Sequence, residues 1–183
     1  MRCKVVRRAL TTGRHNALQH ELIGACRAAG LRVETEPVLS ATTQSTKRTD
    51  FAVTTAQTTT HFDVSVVDQG APSYARWAAR ASRAAAKQRE RMKVSKYRKE
   101  MDVMGTKMVP VVFEVGGASG DGVTELLRMI VGEETARPGL ESPARRMYAH
   151  RVRLAHVLQR HNARILLAEA AMRRARAVGG RRH

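Results

Sequence analysis

The chain has 183 residues, with 33 Lys plus Arg against 16 Asp plus Glu and a formal net charge of +17. A surplus of that size repels itself unless an anionic partner relieves it, which makes nucleic acid the leading partner class. Only two cysteines, Cys3 and Cys26, are present, which excludes a disulfide framework, and no apolar run approaches the roughly 20 residues that span a bilayer.

The opening MRCKVVRRALTTGRHNALQ is arginine-rich and acid-free, as mitochondrial presequences are. It runs into Leu18, Leu22, Ile23 and Cys26 at helical spacing, closed by Gly30, and this pattern predicts a core helix. LRVETEPV then alternates apolar and polar positions until Pro37, predicting a strand, and RTDFAVT and HFDVSVV carry the β-branched and aromatic content of two more. TAQTTT between them is polar and lacks the Asn-Gly signal of a tight hairpin.

From Pro72 to Met104 the residues are alanine-rich and charged, with Gly105 ending the run, which predicts one long helix. KMVPVVFEV reads as a buried strand whose Pro110 points to a bulge or an edge. GGASGDG reads as a loop, and VTELLRMIV as a helix with Asp121 as its amino-terminal cap. The order helix, three strands, helix, strand, helix is an α/β pattern over residues 1–132. Residues 133–143, rich in Gly, Pro and acids, read as a linker, and residues 144–183 as an appended basic helix and tail. Within that helix Leu154, Val157, Leu158, Ile165, Ala168 and Met172 share one face, which predicts packing on the domain or a partner with the arginines outward.

Period two in the third strand places Asp63, Ser65 and Val67 on one face and Phe62, Val64 and Val66 on the other. Desolvating a lone carboxylate costs several kcal/mol, so Asp63 needs a cation, a helix terminus or a metal as partner. Asp50 on the neighbouring strand adds to that cost unless a divalent ion sits between the two. Mg²⁺ sites hold one or two carboxylates, and the ion both generates hydroxide and steadies a pentacovalent phosphate. The alternative is that both aspartates lie at strand ends, facing water or paired with arginine.

KRTD, FDVSVV, KVSKY and VPVVFEVGG, in that order on this pattern of elements, resemble the restriction-endonuclease-like, or PD-(D/E)XK, fold. More narrowly, they resemble the endonuclease domain at the carboxyl end of reverse-transcriptase polyproteins of site-specific non-LTR retrotransposons. The resemblance covers about Arg14 to Ile130. It matches the family's basic residue and aspartate at Arg48 and Asp50, with Thr49 where proline is expected, and its second acid at Asp63. Ser65 stands where the wider fold carries lysine, and Lys93, Lys96 and Tyr97 match the Lys-x-x-Lys-Tyr pattern of the retrotransposon group.

The resemblance implies a metal-dependent DNA endonuclease of retroelement origin. Asp50 and Asp63, joined by Glu114, would hold Mg²⁺ or Mn²⁺, while Lys93, Lys96 and Tyr97 serve the attacking water and the phosphate. It also implies a nuclear location and the other domains of such a polyprotein as partners, while the arginine-rich amino terminus makes the mitochondrion the alternative location. A catalytically degenerate nucleic-acid-binding or ribonucleoprotein subunit on the same fold is the second reading.

Cys3, His15 and His20 could descend from that family's zinc cluster, but a structural zinc site wants four ligands and no Cys-x-x-Cys pair is present. Aromatics make up 4 % of the chain, so Tyr74, Trp77 and Tyr97 are too few for a base-stacking platform and binding rests on phosphate contacts. The residues expected to supply them are Arg48, Lys87, Arg91, Arg145, Arg146, Arg151, Arg153, Arg160 and Arg164, with Arg173, Arg174 and Arg176 beyond. DNA is favoured over RNA.

Overall fold

The computed structural model of the chain describes residues 2–39, 46–135 and 141–179. Helix α1 (Arg2–Ala28) leads into strands β1 (Arg32–Thr35), β2 (Phe51–Thr54) and β3 (Thr59–Val67). Helices α2 (Pro72–Ala78) and α3 (Ala84–Met104) precede β4 (Lys107–Glu114), and α4 (Asp121–Thr135) and α5 (Pro143–Gly179) follow it. The four strands form one sheet in the order β1-β2-β3-β4, antiparallel except for the parallel pair β3 and β4. The expected mixed α/β class is thus present. Pro110 lies on β4, an edge strand, where a missing N–H is tolerated.

Alternation along the strands sorts the core into two faces. Phe51, Val53, Phe62, Val64, Val109, Val111 and Phe113 meet Leu18, Leu22, Ile23 and Cys26 of α1, Leu126, Leu127 and Ile130 of α4, and Leu154 and Leu158 of α5. On the other face, Val67 and Val112 meet Ala85 and Ala86 at the start of α3, and Met108 meets Tyr97 and Met101 further along it. The small alanines let α3 lie close to the sheet. Helices therefore cover both faces.

The span expected to be one long helix is broken. Arg83 adopts a left-handed backbone (φ 66°), and its guanidinium holds the Ser119 carbonyl at 2.6 Å and the Asp121 carboxylate. Because α3 restarts after that turn, it runs back across the sheet. The TAQT connection closes as a hairpin through Thr55 N–H to the Thr58 carbonyl at 2.9 Å and a Thr54–Thr59 hydroxyl pair at 3.1 Å, with no glycine.

Asp121 stands inside the first turn of α4 rather than capping it from outside. Glu90 of α3 accepts the Gly122 N–H at 2.9 Å instead, placing negative charge at that helix terminus. Residues 133–135, expected in a linker, continue α4, while 136–140 of that segment lie outside the described residues.

Helix α5 packs on the domain: Leu154 and Leu158 belong to the same core as α1. Arg7 bonds Glu169 at 3.1 Å and Arg14 bonds Asn162 at 2.7 Å, so α1 and α5 run antiparallel. No helix among the described residues is long and apolar enough to cross a membrane.

Candidate functional site

Residues 47–50 form the strap that delivers Asp50 to the start of β2. Lys47 bonds the buried Glu100 at 2.7 Å and the Lys96 carbonyl at 3.1 Å, tying the strap to α3. Thr49, where the resemblance expects proline, is buried and fixed by hydrogen bonds: its N–H reaches the Pro37 carbonyl at 3.4 Å and its hydroxyl meets His61 Nδ1 at 3.2 Å. The Asp50 N–H pairs with the Phe62 carbonyl, and its Oδ2 accepts the N–H of Val64. Asp50 thus stands beside the residue that follows Asp63.

Asp63 is buried, its side chain 7 % exposed, and both of its oxygens are engaged. Oδ2 pairs with Lys93 Nζ, and Oδ1 accepts the Tyr97 hydroxyl at 2.8 Å. A spacing of four places Arg89, Lys93, Tyr97 and Met101 on one face of α3, and because α3 doubles back that face reaches β3. Lys96 donates to the Tyr97 oxygen at 3.0 Å, with Nζ 4.5 Å from the ring centre. The tyrosine also lies 3.1 Å from the Arg48 carbonyl. Burial above all, and then the Asp63 charge, push the Tyr97 hydroxyl well above its usual range, so it stays protonated.

His15 of α1 joins from the opposite side, its Nε2 3.4 Å from Asp50 Oδ1. That hydrogen bond raises its pKa against the lowering effect of burial, with further raising by the Asp50 and Asp63 charges. Sequence spacing does carry this placement, since His15, Leu18 and Leu22 share one helical face.

Five expected residues, Asp50, Asp63, Lys93, Lys96 and Tyr97, are therefore gathered in one place. Glu114 is not among them. Asp63 is the register partner of Pro110, so Glu114 lies four residues further along β4, about 13 Å away. There it accepts the Ala86 N–H at 3.0 Å and caps the start of α3.

The zinc reading gains no geometry. His15 and His20 point about 140° apart on α1, the Cys3 side chain lies outside the described residues, and no group of three or more His, Cys, Asp or Glu among those described converges as a metal site.

Of the basic residues, Arg48, Lys87, Arg91, Arg145, Arg151, Arg153, Arg160, Arg164, Arg173 and Arg174 are exposed, and the Arg176 side chain is outside the described set. Some are occupied: Arg145 by Glu141 at 3.1 Å and Arg151 by the Thr124 hydroxyl at 2.9 Å. Arg146 departs from the expected outward orientation. It is buried and meets Glu134 at 3.6 Å, which also bonds His150 at 3.1 Å, so it ties α5 to α4 and is not open to phosphate. Compared with protein-family models and with curated protein sequences, the chain matches none.

Proposed function

We propose that the chain is a metal-dependent DNA endonuclease domain of retroelement origin that hydrolyses a phosphodiester bond. One observation carries the reading: the buried Asp63, held by Lys93 and Tyr97 of α3, stands beside Asp50. A structural ion pair needs one acid and one base, whereas this site collects two acids, two lysines and a protonated tyrosine.

The donor set fits Mg²⁺ or Mn²⁺, which prefer hard oxygen ligands. Asp50 and Asp63 would hold the ion. Alternation along β3 turns the Val64 carbonyl toward the same edge, since the Val64 N–H already faces Asp50. When bound, a divalent ion supplies charge neutralisation at phosphate and an acidified water. Lys93 contributes a cation at the reaction centre, suited to negative charge developing on phosphate oxygens. Tyr97 orients Asp63 by donating to it, and Lys96 orients Tyr97, which makes Lys96 a positioning residue.

Exposed Arg48, Arg153, Arg160 and Arg164 suit the backbone of duplex DNA, whose binding is dominated by phosphate contacts. The retroelement origin, the polyprotein partners and the nuclear setting rest on the motif resemblance.

The degenerate reading draws on an observation of its own. All four carboxylate oxygens of Asp50 and Asp63 already have protein partners, so the lysine and histidine could stand permanently in place of a metal. Nicking of supercoiled DNA in Mg²⁺ separates the two. The expected result is cleavage by the wild type and a loss of more than 100-fold in both Asp50→Asn and Asp63→Asn, with unfolding temperatures recorded because Lys93 loses its buried partner in the second. Cleavage that survives both variants refutes the nuclease reading, and binding with no cleavage by the wild type establishes the degenerate one.

A further inference from the structure

Strand β3 is nine residues long and β2 only four, so their pairing ends at Phe62. Beyond that point the edge of β3 is open on the β2 side, and a cleft of about 350 Å³ lies over it between α1 and α3. Arg14 and His15 line it from α1, Arg89 and Lys93 from α3, and Ser65 and Val66 from the strand. No carboxylate is among its lining residues.

Hydrogen bonding along β3 sets what the edge offers. The Val67 carbonyl bonds Val115 on the β4 side, while the Phe62 carbonyl and the Val64 N–H bond Asp50 on the other. Alternation then turns the Val66 N–H toward the cleft.

Arg14, His15 and Lys93 are held in place by partners, which a solvated basic surface does not require. Arg14 is buried, with one terminal nitrogen fixed on Asn162 at 2.7 Å and its Nε without a hydrogen-bond partner. Lys93 is held on Asp63, its side chain 12 % exposed, and His15 is held on Asp50. Arg89 is half-buried and makes no salt bridge among the described residues. Arg14 and Arg89, which make no salt bridge among the described residues, are the charges whose repulsion and desolvation an anion in the cleft relieves.

We infer that this cleft is a phosphate-binding site for one phosphate group of a nucleic-acid strand, formed by Arg14, His15, Arg89, Lys93 and the Val66 N–H. As an anion site it stands on its own geometry; as the subsite that holds the strand beside Asp50 and Asp63 it rests on the nuclease reading. Guanidinium groups suit the planar, bidentate recognition of phosphate oxygens, and the space admits a phosphate with its sugar. The group could be the 5′ end of a strand or an internal phosphodiester.

The test titrates the full chain, in EDTA at low ionic strength, with inorganic phosphate and with two short DNA strands that differ only in a 5′-phosphate or a 5′-hydroxyl. Binding of inorganic phosphate that weakens at least ten-fold in Arg89→Gln, and is unchanged in Arg128→Gln on the exposed side of α4, is the expected result. Preference for the 5′-phosphorylated strand, lost in Arg89→Gln, identifies a terminal phosphate; equal binding of both strands, weakened alike, identifies an internal one. The inference is overturned if the wild type does not bind phosphate, or if Arg89→Gln binds phosphate and both strands as the wild type does. Phosphate binding by a wild type that never nicks DNA would remove the nuclease reading and leave the site standing.

Discussion

His15 titrates against Asp50, and the direction of its shift fixes how the fold responds to pH. Its pKa is raised, chiefly by the hydrogen bond to Asp50 with burial opposing. A raised imidazole contributes stability that is full below its unfolded value of about 6.5 and is lost as pH rises through the higher folded value. His61 and His161 behave in the opposite way: burial lowers both, so their contribution is lost as pH falls below about 6.5. In EDTA, the unfolding temperature should therefore decline on the alkaline side of that point, and His15→Gln should flatten this decline while leaving the acid side in place. An unchanged alkaline decline would show that the pair does not bear on stability. Residue spacing contained half of this result. It places His15 on the apolar face of its helix, but its partner comes from a strap 35 residues later, and no local pattern encodes that meeting.

At the scale of elements, Gly122 is where α4 presses on β4. A side-chain carbon there would overlap the Pro110 carbonyl, and because the obstacle is backbone, the helix itself has to move. Gly122→Ala should cost about 1–3 kcal/mol, the usual range for overpacking, read as a fall in denaturation midpoint at unchanged slope. A neutral result would mean that α4 shifts freely on the sheet. Strands and their order were legible because β-branched runs alternate and turn residues bracket them. The break at Arg83 was not, since ARASRAAAK carries no glycine or proline and, apart from Ser82, consists of good helix formers. Bonds from Arg83 to Ser119 and Asp121, both distant in sequence, impose the left-handed turn. Lys93 depends on that turn to reach Asp63, so the feature hidden from propensity is the one that assembles the site.

For the molecule as a whole, α5 is structural before it is electrostatic. Leu154 and Leu158 are buried in the core, and losing both would remove roughly 3–6 kcal/mol of a total that for ordinary domains is about 5–15. Deleting the helix would thus confound unfolding with loss of binding, and substitution of its exposed arginines is the cleaner experiment. Each phosphate contact contributes about 0.9 to the slope of log affinity against log salt on duplex DNA. If Arg153, Arg160 and Arg164 all touch phosphates, the triple Arg→Gln variant should lower the slope in magnitude by about 2–3 with its unfolding temperature unchanged. An unaltered slope would assign DNA contact elsewhere on the surface.

The antiparallel pairing of α1 and α5 also governs the order in which the fold can be completed during synthesis. Leu22 and Leu158 share one core yet lie 136 positions apart in sequence. At about 5–20 residues per second, a ribosome needs roughly 7–27 s to connect them. Through that interval the sheet and α3 can form, but the flank of α1 that α5 covers stays open to water. A chain stalled before Leu154 is therefore left with an unfinished core, the kind of species that chaperones hold and proteases clear.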